Sequence, residues 1–288
     1  MLVCSLLLLS LIALEGVAGS EGVLRIHSTS DMVELSEEAN NGTDYSETTV
    51  LLDADIDFSG VEFEPIGKDL KNYFNGTFDG QGHAISNLKV NSSSPYVGLF
   101  GYSAGLTIRN LVLDESCSIV NSANSRESHV GGIIGYCDSI TGPCVVENSV
   151  SKASVSFVGA ISGKAYIGGI AGLYISSITT NQSSISNCAN YGLVIHNGES
   201  GDSYIGGIAG ATYGFLIYFN QVQITSCTNY GTVFHNGTVA DSVYIHPIVG
   251  TFDLAIIEDC KNKGKIKTSG AGSLSVSLVL LFCVLLFA

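Results

Sequence analysis

The chain has 288 residues, with 26 acidic against 12 basic side chains and a formal net charge of −14. That balance argues against nucleic-acid binding and against direct attraction to an anionic lipid surface. Mean hydropathy is +0.35 although tryptophan is absent, a value raised by apolar segments at both ends.

Leu6–Leu9 and Leu11–Leu14 are followed by the small residues Gly16 and Ala18. This predicts a secretory signal peptide over 1–19, although its first residues lack the usual Lys or Arg. Residues 20–49 are expected to form an N-terminal cap. Within it, Ser30 to Ala39 reads as a short helix capped by Ser30, with Asp31 at its positive end and Asn40, Asn41 and Gly42 at its stop. Val50 to Phe58 then alternates, with Leu52, Ala54, Ile56 and Phe58 on one face and Asp53, Asp55 and Asp57 on the other. The alternation predicts a strand. Three carboxylates on one face also invite calcium, and Glu64 falls twelfth in a loop counted from Asp53. Phe58 stands sixth, where an EF-hand needs Gly, so a solvated strand face is the simpler reading.

From here the chain repeats itself. Tyr166-Ile-Gly-Gly-Ile-Ala-Gly172 returns as Tyr204 to Gly210, and in drifted form as Tyr244-Ile-His-Pro-Ile-Val-Gly250. Earlier relatives are His129 to Gly135 and Tyr96 to Gly101. A second phrase, Ser186-Asn-Cys-Ala-Asn-Tyr-Gly192, returns at Ser226 and Asp259. One column is read through Leu88, Leu111, Ser149, Cys188, Cys227 and Cys260. Self-similarity near 40 residues marks a solenoid or array. The units are rich in Ile, Val, Tyr and Thr, are broken by Gly and Asn, and lack helical periodicity, which predicts about three short strands per unit. The expectation is an all-β chain, a right-handed parallel β-helix over 50–268 with a short N-terminal capping helix; a β-propeller is the rival. Stacked turns would align Ile170, Ile208 and Ile248 in the core, Asn190, Asn229 and Asn262 as an amide ladder, and Tyr191 over Tyr230. In that reading the repeated residues build core and turns, and the variable loops between them are the expected recognition surface.

Six cysteines lie between the terminal segments. Cys137 and Cys144 flank a turn-rich loop that a disulfide could close. Cys188, Cys227 and Cys260 share a column, and either approach disulfide range or form a ladder of buried thiols. Five sequons, at Asn41, Asn75, Asn91, Asn181 and Asn236, suit a secreted glycoprotein. Small residues near Thr268 precede an apolar run from Leu274 to Ala288 that is short for a spanning helix. Together they predict a glycolipid (GPI) anchor signal over 269–288, with Ser269, Gly270 or Ala271 as attachment site. A short transmembrane tail is the alternative.

Asp55-Ile-Asp-Phe58, Pro65-Ile-Gly67, the block Phe74 to Leu88 and Val97-Gly-Leu-Phe-Gly101 resemble the opening of GLUG-type repeat proteins, a similarity that runs through residues 50–264. The resemblance implies a right-handed β-helix in a secreted or cell-surface protein, commonly an adhesin or stalk, and brings no catalytic residues. Because β-helices also carry polysaccharide lyases and glycosidases, Asp79 with His83 and Asp53 with Asp55 are candidate acid–base pairs. His196 and His235 are matched across units and could form a metal pair. Local turn and repeat structure explains all of these more simply. The expectation is therefore a non-enzymatic, cofactor-free, GPI-anchored glycoprotein on the outer face of the plasma membrane. Its partner would be an extracellular protein or glycan and not nucleic acid. A carbohydrate-active β-helix enzyme is the alternative, and an outward groove gathering Asp, His and Tyr would be the feature to look for.

Overall fold

The computed structural model describes residues 22–176, 183–214 and 221–269. The chain is a parallel β-solenoid whose successive turns pair in register. The turn from Cys144 to Ser176 shows the plan. Cys144–Glu147, Val150–Ser151, Ser154–Phe157, Lys164–Gly168 and Ala171–Ser176 each join a different sheet, named here I to V in that order. Sheet I has eight strands, sheet II seven, sheet III six, and sheets IV and V five each.

Five strands per turn replace the three expected, because two corners split runs that read as continuous. At the corner from sheet I to II stand Asn110, Asn148, Asn187, Ser226 and Asp259, with φ between 50° and 55°. Short polar side chains, Asn and Asp above all, tolerate this left-handed conformation best after Gly. The column Leu111, Ser149, Cys188, Cys227 and Cys260 follows directly. Leu88 does not belong to it: Ser118 pairs with Lys89, which sets Leu88 beside Cys117 at the start of sheet III. The cause is a second left-handed corner at Asn87 (φ 55°), so one Asn-apolar signature serves two different bends and the spacing misleads.

Where the repeat carries Gly-Gly, both glycines let the corner from sheet IV to V pack tightly against its neighbours. A Cβ on Gly168 would lie 2.0 Å from the Ala171 carbonyl oxygen, and one on Gly169 would lie 2.3 Å from Asn190 Cγ. In the last turn His246 and Pro247 replace the two glycines, yet Val243–His246 and Val249–Asp253 keep register with the preceding turn. The equivalent N–H groups donate forward, as from Gly207 to the His246 carbonyl. Among the described residues no further turn stacks on this one in sheets IV and V, so the missing donor of Pro247 leaves no ladder bond unmade.

The expected columns form. Ile170, Ile208 and Ile248 are buried. Asn190 donates to Asn229 at 3.0 Å, and Asn229 to Asn262 at 3.0 Å. The rings of Tyr191 and Tyr230 stack nearly parallel, with centroids 4.4 Å apart. Cys137 and Cys144 are disulfide-bonded across the junction of sheets V and I. Cys188, Cys227 and Cys260 are free thiols. Cys227 and Cys260 donate to carbonyls of the preceding turn at 3.4 Å, so the free-thiol ladder is the alternative realised, buried at Cys188 and Cys227 and half-buried at Cys260.

The helix spans Thr29–Asn40 and its cap is Ser28, not Ser30. Ser28 Oγ accepts from Asp31 N, and the Asp31 carboxylate accepts from Ser28 N at 3.0 Å, a capping box that selects the serine three residues before the acid. Val23–Ile26 opens sheet I before the helix by pairing with Thr49–Leu52. Met32, Leu35 and Ala39 enter the core cluster that holds Phe58, Phe63 and Ile66. Ser36 and Asn40 tie the helix to the carbonyls of Glu64 and Pro65. The run Val50 to Phe58 is two strands, Thr49–Leu52 and Ile56–Asp57, with a corner between them.

Candidate functional site: an exterior tyrosine crease

Strand alternation in sheet IV sends Ala165 and Ile167 into the core and Tyr166 to the opposite face. The double-glycine bend then brings the outer faces of sheets IV and V together. Tyr96, His129, Tyr166, Tyr204 and Tyr244, one from each of five turns, stack as a continuous column. Successive ring centroids are 5.3, 5.1, 5.1 and 4.8 Å apart. Sheet V supplies the opposing wall. There Tyr102 stacks on Tyr136 at 5.1 Å, and Tyr136 meets His129 edge to face at 5.0 Å. Further along, Tyr166, Leu173, Tyr204 and Ala211 are buried against one another as a cluster separate from the core, flanked by Tyr136, Ile175, Tyr213 and Tyr244.

Burial, with Asp138 close by, pushes the Tyr102 and Tyr136 phenols up, and burial raises Tyr166 as well. All three stay protonated. Tyr136 Oη reaches toward Asp138 at 3.5 Å and Tyr204 Oη toward Asp202 at 3.4 Å. His129 is 4 % exposed, and burial pushes its imidazole down to about 4. At neutral pH it is an uncharged ring in the stack, its Nδ1 3.3 Å from the Pro95 carbonyl. Toward the C-terminal end the crease opens into a depression of about 210 Å³ lined in part by Tyr244, His246, Val249 and Phe252. Most of the stacked rings are buried against one another, so the part of the seam open to a ligand is its half-buried rim, Tyr96, Tyr136, Tyr213 and Tyr244. Among the described residues the seam sets no two carboxylates face to face for acid–base work.

The candidate catalytic residues are engaged elsewhere. Asp79 does not pair with His83; it holds Arg109 Nε at 2.8 Å, Asn110 Nδ2 at 3.0 Å and Gln81 N at 2.9 Å. Burial opposes ionisation of Asp79, and these bonds outweigh it, so the carboxyl lies below the ordinary carboxylate range. His83 instead meets Asp55 at 3.1 Å. Asp53 binds Arg25 and Gln81, each at 2.7 Å, while Asp57 binds Asn87 and Ser59, each at 2.8 Å. The three carboxylates of the calcium reading are thus divided among three sets of partners. Among the described residues no group of three or more His, Cys, Asp or Glu is placed to hold a metal ion. His196 and His235 stack at 5.0 Å inside the solenoid, and burial followed by the neighbouring His235 pushes His196 down to about 3.

Of the sequon residues, Asn41, Asn91 and Asn236 are exposed. Asn75 is half-buried, donating to Asp44 and accepting from Tyr45 N. Asn181 lies outside the described residues, as do Gly270, Ala271 and the signal segment 1–19. Ser269 is exposed, and its hydroxyl bonds Asn236. The crease is what the repeat phrase conceals when its shared residues are read as core and turn. The signal was present in the alternation Ala-Tyr-Ile, which must put Tyr166 opposite Ile167.

No family model matches the chain. No curated protein matches it either. Among solved structures it is similar to a protein described as a putative immunoglobulin A1 protease from Bacteroides ovatus, with a TM-score of 0.57 and 18 % sequence identity. The match covers 88 % of this chain and 80 % of that one. At this identity the likeness is one of fold.

Proposed function

We propose that this chain is a non-enzymatic cell-surface glycoprotein of the GLUG-repeat type. In this reading it is secreted, held by a C-terminal glycolipid anchor, and used for adhesion or surface-coat formation. The observation that carries the proposal is the exterior crease. Five turns align tyrosines and one neutral histidine along an outer face, while the candidate catalytic carboxylates and histidines are bound up in turn-to-turn contacts. A solenoid suits such a role, because repetition extends one surface without a new core for each contact. The signal-like and anchor-like ends support placement outside the cell.

Treating intact expressing cells with a phosphatidylinositol-specific phospholipase tests the anchor: release into the medium is expected. Retention, with a lipase-sensitive control protein released and inositol acylation of the anchor excluded, would favour a transmembrane tail. Replacing Tyr244 at the open end of the crease by Ala tests the face. Attachment of the expressing cells to their substratum should fall while surface expression holds; unchanged attachment would contradict the assignment.

A further inference from the structure

A second aromatic feature lies outside the crease, on the outer face of sheet II. Tyr191 and Tyr230 are 48 % and 37 % exposed. Their rings are stacked within 2° of parallel, and Lys263 Nζ sits 5.0 Å from the Tyr230 centroid. The stack runs along the solenoid axis, so Lys263 closes one end and the free face of Tyr191 forms the other. That face looks toward the preceding turns, where the chain leaves an open depression of about 570 Å³ lined by Val112, Glu115, Val150, Lys152 and Tyr191. Register places Val112 beside Val150 and Val150 beside Ala189, which makes an apolar floor under the ring. Lys152 occupies the register position of Tyr191 one turn earlier and lines the depression together with it.

We infer that this ledge is a glycan-binding subsite, in which a pyranose ring stacks on Tyr191 as the next rung of the ladder. The inference rests on the reading of the chain as a binding protein and names one ligand class for it. A pyranose has an apolar C–H face that matches an exposed aromatic ring, and a rim of hydroxyls that needs donors and acceptors. Glu115 accepts from hydroxyls, Lys152 donates to them, and the two valines receive the remaining C–H edge. Tyr230 and Lys263 support Tyr191 from behind and hold its free face across the axis.

The test is an NMR titration of the full chain with defined glucose, galactose, mannose and N-acetylglucosamine oligosaccharides. At least one should bind saturably and shift the Tyr191 ring resonances. Tyr191→Ala should weaken that binding about tenfold, the scale of one lost aromatic contact. Tyr191→Phe should retain it, because the ring face and not the hydroxyl makes the contact. Equal binding by Tyr191→Ala, loss in Tyr191→Phe, or no saturable binding by any of the four series overturns the subsite. Cell attachment that survives such a result would leave the adhesive reading standing, so the two failures are distinguishable.

Discussion

Replacing Asn229 by Ala removes the middle rung of the amide ladder, and the structure sets the size of the loss. Asn229 Nδ2 donates to the Gly231 carbonyl at 3.2 Å and to Asn262 at 3.0 Å, while Oδ1 accepts from Gly231 N at 3.2 Å and from Asn190 at 3.0 Å. Three buried bonds and one part-buried bond, at about 1 kcal/mol net each, give an upper figure of roughly 4 kcal/mol. Partners that survive reduce it. Asn190 still reaches the Gly192 carbonyl, and Gly231 N still has the Asn190 carbonyl. A loss of about 2–4 kcal/mol is therefore expected. Asn262→Ala should cost well under half of that, since Asn262 is exposed and water replaces its partners. Equilibrium urea unfolding of both variants, compared at equal denaturant slope, reads the difference. If Asn262→Ala destabilises as much as Asn229→Ala, or if Asn229→Ala changes stability by under about 0.5 kcal/mol, the ladder is not a source of stability.

Three further outcomes are expected. The buried imidazoles of His129 and His196 have folded values pushed down to about 4 and about 3. The unfolded chain takes up their protons as pH falls through about 6.5, so their contribution is fully present above that pH and is lost progressively below it. At pH 5 the loss is about 2 kcal/mol for each, and equal unfolding midpoints at pH 7.5 and pH 5 would contradict it. Ser28→Ala should cost about 1 kcal/mol, and Ser30→Ala only a few tenths, by thermal unfolding; the reverse order would return the cap to Ser30. Cys117, Cys188 and Cys227 should resist iodoacetamide until denaturant is added, whereas Cys137 and Cys144 should react only after reduction, as peptide mass spectrometry can show.

The solenoid was legible because a stacked turn must repeat its core and turn residues, so Ile170, Ile208 and the Asn190 column align from the repeat alone. The strand count was not, because left-handed corners at Asn148 and Asn187 are single residues inside runs that look continuous. The same ambiguity put Leu88 in the wrong column. The ledge pair Tyr191–Tyr230 followed from register alone. The crease did not, because it arises from folding two outer faces together at Gly168 and Gly169. Only the direction of that bend decides whether Tyr166 meets solvent or other tyrosines. Asp79 and His83 looked like an acid–base pair from spacing, and Arg109, thirty residues later, is what separates them.

The central claim, that the molecule binds and does not turn over its ligand, is tested most directly by incubating the purified chain with a panel of polysaccharides and assaying reducing ends. The account predicts none above the buffer control, with oligosaccharide binding at the Tyr191 ledge proceeding without cleavage. New reducing ends that appear with the wild-type chain and disappear on replacing one of its carboxylates would contradict it.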